Sequence, residues 1–345
     1  VNIPKEGGKT RPIGVSAIED KIVQDALREV LEAIYERDFR SCSYGFRPGR
    51  RAHDALRALD RIVYRDKVSC VLEADIVSFF DSVDRAKLME MLRTRVADGS
   101  ILRLIGKCLH VGVLDGAEYS EPDQGTTQGS VISPLLGNVY LHYVLDEWFE
   151  REVKPRLRGK AHLLRYADDF VILFERRDDA ERVMAVLPKR MGRYGLTLHA
   201  DKTRLLPFER PRGTSGKGPA TFDFLGFTLY WRRTHRGRWE VWCKTKRARL
   251  RRAILAVAEY CRCHRHDPVK EQHAALTRRL RGHYNYFGVN GNTESLSKLA
   301  WAAKGIWFKW LGRRSQRPFT WARYAALLDR LPLPTPRITV QVWST

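Results

Sequence analysis

The sequence predicts an α+β fold, and three observations carry that expectation. Residues 163–174 read Leu-Leu-Arg-Tyr-Ala-Asp-Asp-Phe-Val-Ile-Leu-Phe, two apolar β-prone runs around a short polar turn, which is the pattern of a hairpin. A second apolar strand pattern, residues 70–75, lies upstream and ends on a carboxylate. Helical spacing of apolar residues prevails before that strand, over residues 18–39, and again beyond Lys244.

A chain of 345 residues, 43% hydrophobic and 30% charged, has room for two or three structural units and a sizeable core. No apolar run nears the roughly 20 residues of a membrane span, and no signal-peptide pattern opens the chain. We therefore expect a cytoplasmic protein without a membrane partner. A first residue of Val rather than Met leads us to expect an N-terminal piece outside this sequence. The formal net charge of +22 is unevenly spread. From residue 211 onward 27 Lys and Arg stand against 7 Asp and Glu, whereas residues 1–210 hold 35 against 33. Nucleic acid is the expected partner, because cation contacts to phosphates release counterions and dominate affinity. Six scattered cysteines, several in apolar segments, fit reduced thiols. The run Cys261-Arg262-Cys263-His264-Arg265-His266 lacks a second ligand pair at zinc-finger spacing and reads as a helix end.

In chain order, residues 1–14 read as a strand, a Gly7-Gly8 turn and a returning strand, with Lys5 and Arg11 flanking the turn and placed to meet one anion. Ile22, Val23, Ala26, Leu27, Val30, Leu31 and Ile34 then mark an amphipathic packing helix. The segment Ser43-Tyr44-Gly45-Phe46-Arg47-Pro48-Gly49-Arg50-Arg51 breaks it. Basic and aromatic side chains in such a loop suit a nucleic-acid strand, aromatics stacking on bases and Arg meeting phosphates. A second helix at about 52–63 leads into the strand that ends at Asp75, followed by the aromatic pair Phe79-Phe80. Residues 84–110 read as helical connections. Residues 124–138, Gln-Gly-Thr-Thr-Gln-Gly-Ser-Val-Ile-Ser-Pro-Leu-Leu-Gly-Asn, read as a loop entering a helix: glycine allows close backbone approach to a ligand, and Pro134 is tolerated in a first turn.

Adjacent Asp168 and Asp169 repel each other, and a neighbouring cation relieves that repulsion. Alone, such a pair is an ordinary polar turn. If the two strands are sheet neighbours, Asp75 joins the hairpin tip, and oxygen-rich carboxylate clusters suit Mg²⁺, which takes substrate phosphates as its other ligands. Two such ions about 3.5–4 Å apart can hold the attacking and leaving oxygens of a phosphoryl transfer. Behind the hairpin come a helix at about 180–194 that stops at Gly195, a short strand over 196–203, a Gly- and Ser-rich link over 211–219 and an apolar strand at 222–227. Lys244, Lys246, Arg247, Arg249, Arg251 and Arg252 crowd the start of the next helix, with Leu250, Ile254, Leu255 and Val257 as its apolar side. Further helices are predicted at about 268–282 and 294–312.

Asp75, the Gln128-Gly129-Ser130 loop, Tyr166-Ala167-Asp168-Asp169 and Arg281-Gly282-His283-Tyr284-Asn285-Tyr286-Phe287 occur in this order, and together they resemble the reverse transcriptases, specifically those encoded by bacterial group II introns. The resemblance covers nearly the whole chain. It implies a right-hand polymerase: residues 1–70 as fingers, 71–243 as a palm with interleaved finger elements and an antiparallel sheet, and 244–345 as an α-helical thumb or maturase domain. It implies Asp75, Asp168 and Asp169 as catalytic ligands of two Mg²⁺ ions, with Ile76 in the same metal set. Lys5, Arg11, Phe80, Gln128, Gly129 and Lys202 are its implied nucleotide-binding positions, Phe80 lying under the sugar and selecting deoxyribose by shape. Arg47 is implied near the template, and the 244–252 cluster at nucleic acid. The implied activity is RNA-directed DNA polymerisation, with intron RNA, an RNA template, a DNA primer, dNTPs and target DNA as partners, in the cytoplasm with the nucleoid or a ribonucleoprotein. Two alternatives are an RNA-binding splicing cofactor without required catalysis and a relative recruited to a CRISPR-linked or defence task.

Overall fold

The computed structural model describes residues 2–4, 10–12, 14–110, 113–115, 118–120, 124–126, 129–211, 220–316 and 318–343. They form two compact units, Val1–Arg210 and Pro211–Thr345. Among the described residues no helix is long and apolar enough to cross a membrane.

The first unit opens with a two-stranded ribbon, β1 (Asn2–Pro4) and β2 (Thr10–Pro12), in which Ile3 pairs with Arg11. Helix α1 (Ile18–Tyr35) buries Leu27, Leu31 and Tyr35 but leaves Ile18, Ile22, Val23 and Val30 exposed. Its apolar spacing therefore marks two faces, of which this unit packs one. Helix α2 (Ala52–Arg65) buries Ala55, Leu56, Leu59 and Val63 along a single stripe. Next come β3 (Cys70–Asp75), the single turn α3 (Phe79–Ser82), α4 (Arg85–Arg93) and α5 (Gly99–Leu109). Asp84 and Asp98 cap α4 and α5 by accepting from backbone N–H groups of their first turns. A ribbon, β4 (Val113–Asp115) with β5 (Glu118–Ser120), precedes α6 (Ser133–Leu141), which continues through two wide π turns, His142–Asp146 and Phe149–Val153. The unit ends with β6 (Ala161–Tyr166), β7 (Asp169–Phe174), α7 (Arg177–Gly192) and β8 (Arg204–Pro207).

Four of these strands make one antiparallel sheet in the order β6-β7-β3-β8. Leu72, Ala74, Phe170, Ile172 and Phe174 share a buried cluster with Leu27 and Leu31 of α1 and with Leu135, Leu136 and Val139 of α6. Val71, Val171 and Leu173 on the alternate positions are buried as well. Two covered faces explain why these strands read as unbroken apolar runs rather than alternating ones. Residues 196–203, expected as a strand, contribute a single bridge, Leu198 to Ile76.

The second unit holds a three-stranded antiparallel sheet, β9 (Phe222–Phe224), β10 (Phe227–Arg233) and β11 (Trp239–Thr245), in the order β11-β10-β9. Leu225 and Gly226 join β9 to β10 with φ of 53° and 80°, the left-handed pair that a two-residue hairpin turn needs. Four helices follow: α8 (Arg247–Cys263), α9 (Val269–Phe287), α10 (Thr293–Leu311) and α11 (Trp321–Arg330). Phe227 packs on the rings of Tyr286 and Phe287. Buried Asn292 accepts from the Thr245 N–H and donates to the Thr245 hydroxyl, both at 2.8 Å, tying sheet to helices. The sheet thus belongs to one compact body with the helices, and the boundary between units falls at Arg210/Pro211, inside the range assigned above to a palm. Helix α8 buries only Val257 and Cys261, and Leu255, expected on its apolar side, is 56% exposed.

Candidate active site

The predicted hairpin is formed by β6 and β7, and Ala167-Asp168 is its turn. Ala167 adopts φ 56°, a left-handed conformation that costs an L-residue about 1–2 kcal/mol. Strand β3 pairs with β7 in the register that sets Asp75 opposite Asp169. Directly opposed residues hold their Cβ atoms about 4.5–5.5 Å apart, so two carboxylates share one end of the sheet, with Asp168 in the adjoining turn. Lys202 makes an ion pair with Asp75. Its segment is fixed through backbone bonds, His199 donating to the Asp75 carbonyl at 2.8 Å and Lys202 to the His199 carbonyl at 3.1 Å.

Among the described residues no three Asp, Glu, His or Cys side chains converge as a ready-made metal cluster. The donors at this end of the sheet are nonetheless the hard oxygens that Mg²⁺ selects, and Asp75 already holds one cation, the Lys202 ammonium. The residues fit a divalent ion at Asp75, Asp168 and Asp169. Ile76 is buried and could add only its backbone carbonyl.

Beneath the turn lies a charged residue that sequence reasoning passes over. Arg165 is fully buried, and its guanidinium donates to Asp146 Oδ1 at 2.8 Å and Oδ2 at 2.5 Å, to Asn138 Oδ1 at 2.9 Å, to the Ser43 hydroxyl at 2.9 Å and to the Ala167 carbonyl at 3.0 Å. Burial by itself would lower the Arg165 pKa, but the charge and hydrogen bonds of Asp146, with smaller contributions from Cys42 and Asp168, raise it, so the side chain stays charged. Asp146 sits in the first wide turn after α6 and Ser43 in the loop before α2, so the network joins three segments to the hairpin. Gly45 of that loop lies so close that a Cβ would collide with the Ala167 backbone nitrogen, and its carbonyl accepts from Asn138 at 2.6 Å. An Arg and an Asp each set in an apolar run, Leu163-Leu164-Arg165 and Val144-Leu145-Asp146, are the signal that could have found the pair, since buried charges require partners.

The remaining predicted residues divide. Phe79 is buried, while the half-buried Phe80 packs beside it with ring centroids 5.1 Å apart, both against Gly137 of α6, where a Cβ would stand 3.0–3.2 Å from the two rings. The Phe80 carbonyl accepts from Thr126 N–H at 2.7 Å, and Arg85 holds the Gly125 carbonyl at 2.8 Å, so the loop before α6 is fastened to the turn after β3. Buried Gln24, another residue missed in sequence, accepts from the Ser130 hydroxyl and the Val131 N–H, both at 2.9 Å. Gly129 is exposed with φ 109°. Lys5, Gln128 and the side chain of Arg11 lie outside the described residues. Arg47, expected at a template strand, is instead an internal brace: its side chain is 3% exposed, pairs with Glu36 at 2.8 Å, donates to the Arg40 and Ser43 carbonyls and stacks over Phe39. A loop between helices must satisfy its own carbonyls, and Arg47 does so here. In the second unit Arg247, Arg249, Arg251 and Arg252 are exposed along α8, Lys246 pairs with Asp223 at 3.1 Å, and Lys244 lies over Tyr230.

The family described as reverse transcriptase (RNA-dependent DNA polymerase) matches residues 3–229, which include both paired strands of the carboxylate site and its turn. The chain belongs to the reverse transcriptase family. Protein YkfC of Escherichia coli (strain K12) is 33% identical over 278 residues, covering 70% of this chain and 68% of that protein. The group II intron-encoded protein LtrA of Lactococcus lactis subsp. cremoris is 37% identical over 160 residues, 44% of this chain and 26% of LtrA. An uncharacterized 91 kDa protein in the cob intron of Schizosaccharomyces pombe (strain 972 / ATCC 24843) is 43% identical over 150 residues, 43% of this chain and 18% of that protein. The chain thus spans about two thirds of the first of these relatives and about a quarter or less of the other two. This reverse transcriptase shares one stretch with the intron-encoded LtrA and carries a C-terminal unit built mainly of helices.

Proposed function

We propose that this reverse transcriptase extends a primer 3′-hydroxyl on an RNA template with dNTPs, and that it binds group II intron RNA as a maturase, assisting splicing and mobility into target DNA within a ribonucleoprotein. The observation that carries the reading is the register of β3 on β7, which opposes Asp75 and Asp169 beside Asp168. Asp75, Asp168 and Asp169 would hold divalent cations, two Mg²⁺ on this reading, which would supply charge stabilisation to phosphoryl transfer. Lys202 pairs with Asp75, and with a divalent cation at Asp75 its ammonium would be free to meet the departing pyrophosphate. Phe80, backed by Phe79 and Gly137, supplies a floor under the sugar, and Gly129 leaves its backbone open to the base pair. Residues 1–70 act as fingers, 71–243 as palm with interleaved finger elements, and 244–345 as thumb, whose basic helix α8 tracks phosphates.

Primer extension on an RNA template with Mg²⁺ and dNTPs tests this reading. Asp168→Ala is expected to bring extension to background while intron binding and assisted splicing persist. Extension at the wild-type rate would remove Asp168 from the site, and equal loss of both functions in a folded variant would refute separate roles.

A further inference from the structure

Helix α10 turns Trp307 fully inward and carries a second aromatic side outward. Trp301 is 82% exposed. Phe308, seven residues on, shares its side of the helix, and Trp321, 63% exposed at the start of α11, stacks on Phe308 with centroids 3.9 Å apart and planes at 15°. Between them, on the same side, is Gly305, with open space where its Cβ would stand. Glycine weakens a helix interior relative to alanine, and among the described residues nothing packed against this position requires one. Lys298 and Lys304 flank Trp301 at i−3 and i+3, both exposed, Lys298 pairing with Glu294 at 2.6 Å. Lys309 and Arg313 lie over the Trp310 ring at the far end of the same helix. From Trp301 to Phe308 the helix rises about 10 Å, the length of roughly three stacked bases.

Two large exposed aromatics, a bare backbone step between them and lysines at the margins describe a stacking platform rather than an ordinary solvated face. Base–aromatic stacking tolerates any sequence, because every base has a π-face, while the lysines serve the phosphates. The surrounding unit carries 27 Lys and Arg against 7 Asp and Glu, which selects a polyanion over a protein surface as the occupant. We propose that the α10–α11 face binds unpaired RNA nucleotides, with Trp301 and Trp321 as the stacking residues. The proposal rests on the reading of the helical region as RNA-binding and names the part of the RNA this face takes.

The test measures binding of the full chain, at one fixed salt concentration, to a single-stranded RNA of about 12 nucleotides and to a blunt RNA duplex of about 16 base pairs, each end-labelled for fluorescence anisotropy. Trp301→Ala is expected to weaken single-strand binding about fivefold or more, with a further loss on adding Trp321→Ala and partial recovery in Trp301→Phe. Duplex affinity and the primer-extension rate at saturating substrate stay at wild-type values. Because Trp301 is so exposed, its removal leaves the fold intact. Undiminished single-strand affinity in Trp301→Ala would overturn the proposal, as would equal weakening on both RNAs. A changed oligomeric state by light scattering, with RNA affinity unaltered, would assign the face to protein contact instead. A wild-type chain that binds neither RNA would overturn the wider RNA-binding reading and this proposal with it.

Discussion

Arg165 uses all five of its N–H donors inside the fold, and one of them holds the Ala167 carbonyl at the left-handed step of the β6–β7 turn. Removing one partner of a fully buried ion pair leaves an uncompensated charge, so Asp146→Ala should lower unfolding free energy by about 3–5 kcal/mol in urea titrations. Replacing both charges with apolar residues, Arg165→Met with Asp146→Leu, should recover much of that stability, because the desolvation cost disappears with the pair. It should not recover the polymerisation rate, since Ala167, Asn138 and Ser43 lose their shared donor and the turn beside Asp168 is no longer held. If kcat returns together with stability, the network is scaffolding alone. Phe80 makes a different demand, on shape rather than charge. Phe80→Ala should narrow the ratio of kcat/KM for dNTP over rNTP, and an unchanged ratio would take Phe80 out of sugar selection. Arg47 and Arg165 also show what one sequence reveals at this scale. The carboxylates were legible as a pattern, but an arginine's fate depends on which carbonyls and carboxylates the fold brings to it, and local context points Arg47 outward when the fold turns it in.

Elements are more legible in this sequence than the fates of single residues, for a physical reason. The β6–β7 hairpin is specified locally, by two β-prone runs and a turn, and it forms as read. Helices α2, α9 and α10 likewise follow from periodicity that matches their buried stripes. Pairing of β3 with β7 across some hundred residues is a long-range event that no local pattern encodes, and it is this register that places Asp75 opposite Asp169. Helices α1 and α8 mark the opposite failure. Both have apolar residues at helical spacing, yet Ile22 and Val30 of α1 and Leu255 of α8 remain exposed. Periodicity identifies a helix and its apolar positions but not which of two apolar faces its own unit will cover. The wide turn carrying Asp146 was also invisible, because a π turn leaves the apolar spacing of Val144 and Leu145 nearly helical.

Across the whole molecule charge and chemistry are divided. The first unit carries the carboxylate site on a nearly balanced charge, 35 Lys and Arg against 33 Asp and Glu, and the second carries an excess of twenty positive charges. On the proposed function the second unit supplies the long-range attraction of a polyanionic template, and the nearly neutral first unit holds the carboxylates. This division predicts a kinetic signature. Phosphate contacts on a duplex each contribute about −0.9 to the slope of log K against log salt. Arg247, Arg249 and Arg251 are exposed on α8, so changing all three to Gln should flatten that slope by up to about 2.7. The same variant should raise KM for template–primer, most of all at low salt and with a shallower salt dependence than the wild type, yet keep kcat near the wild-type value at saturating template, because the turn holding Asp168 is untouched. An unchanged slope would take α8 out of phosphate contact. A collapsed kcat at saturation would show instead that these arginines position the reacting strand, so that binding and chemistry are not separable along the chain.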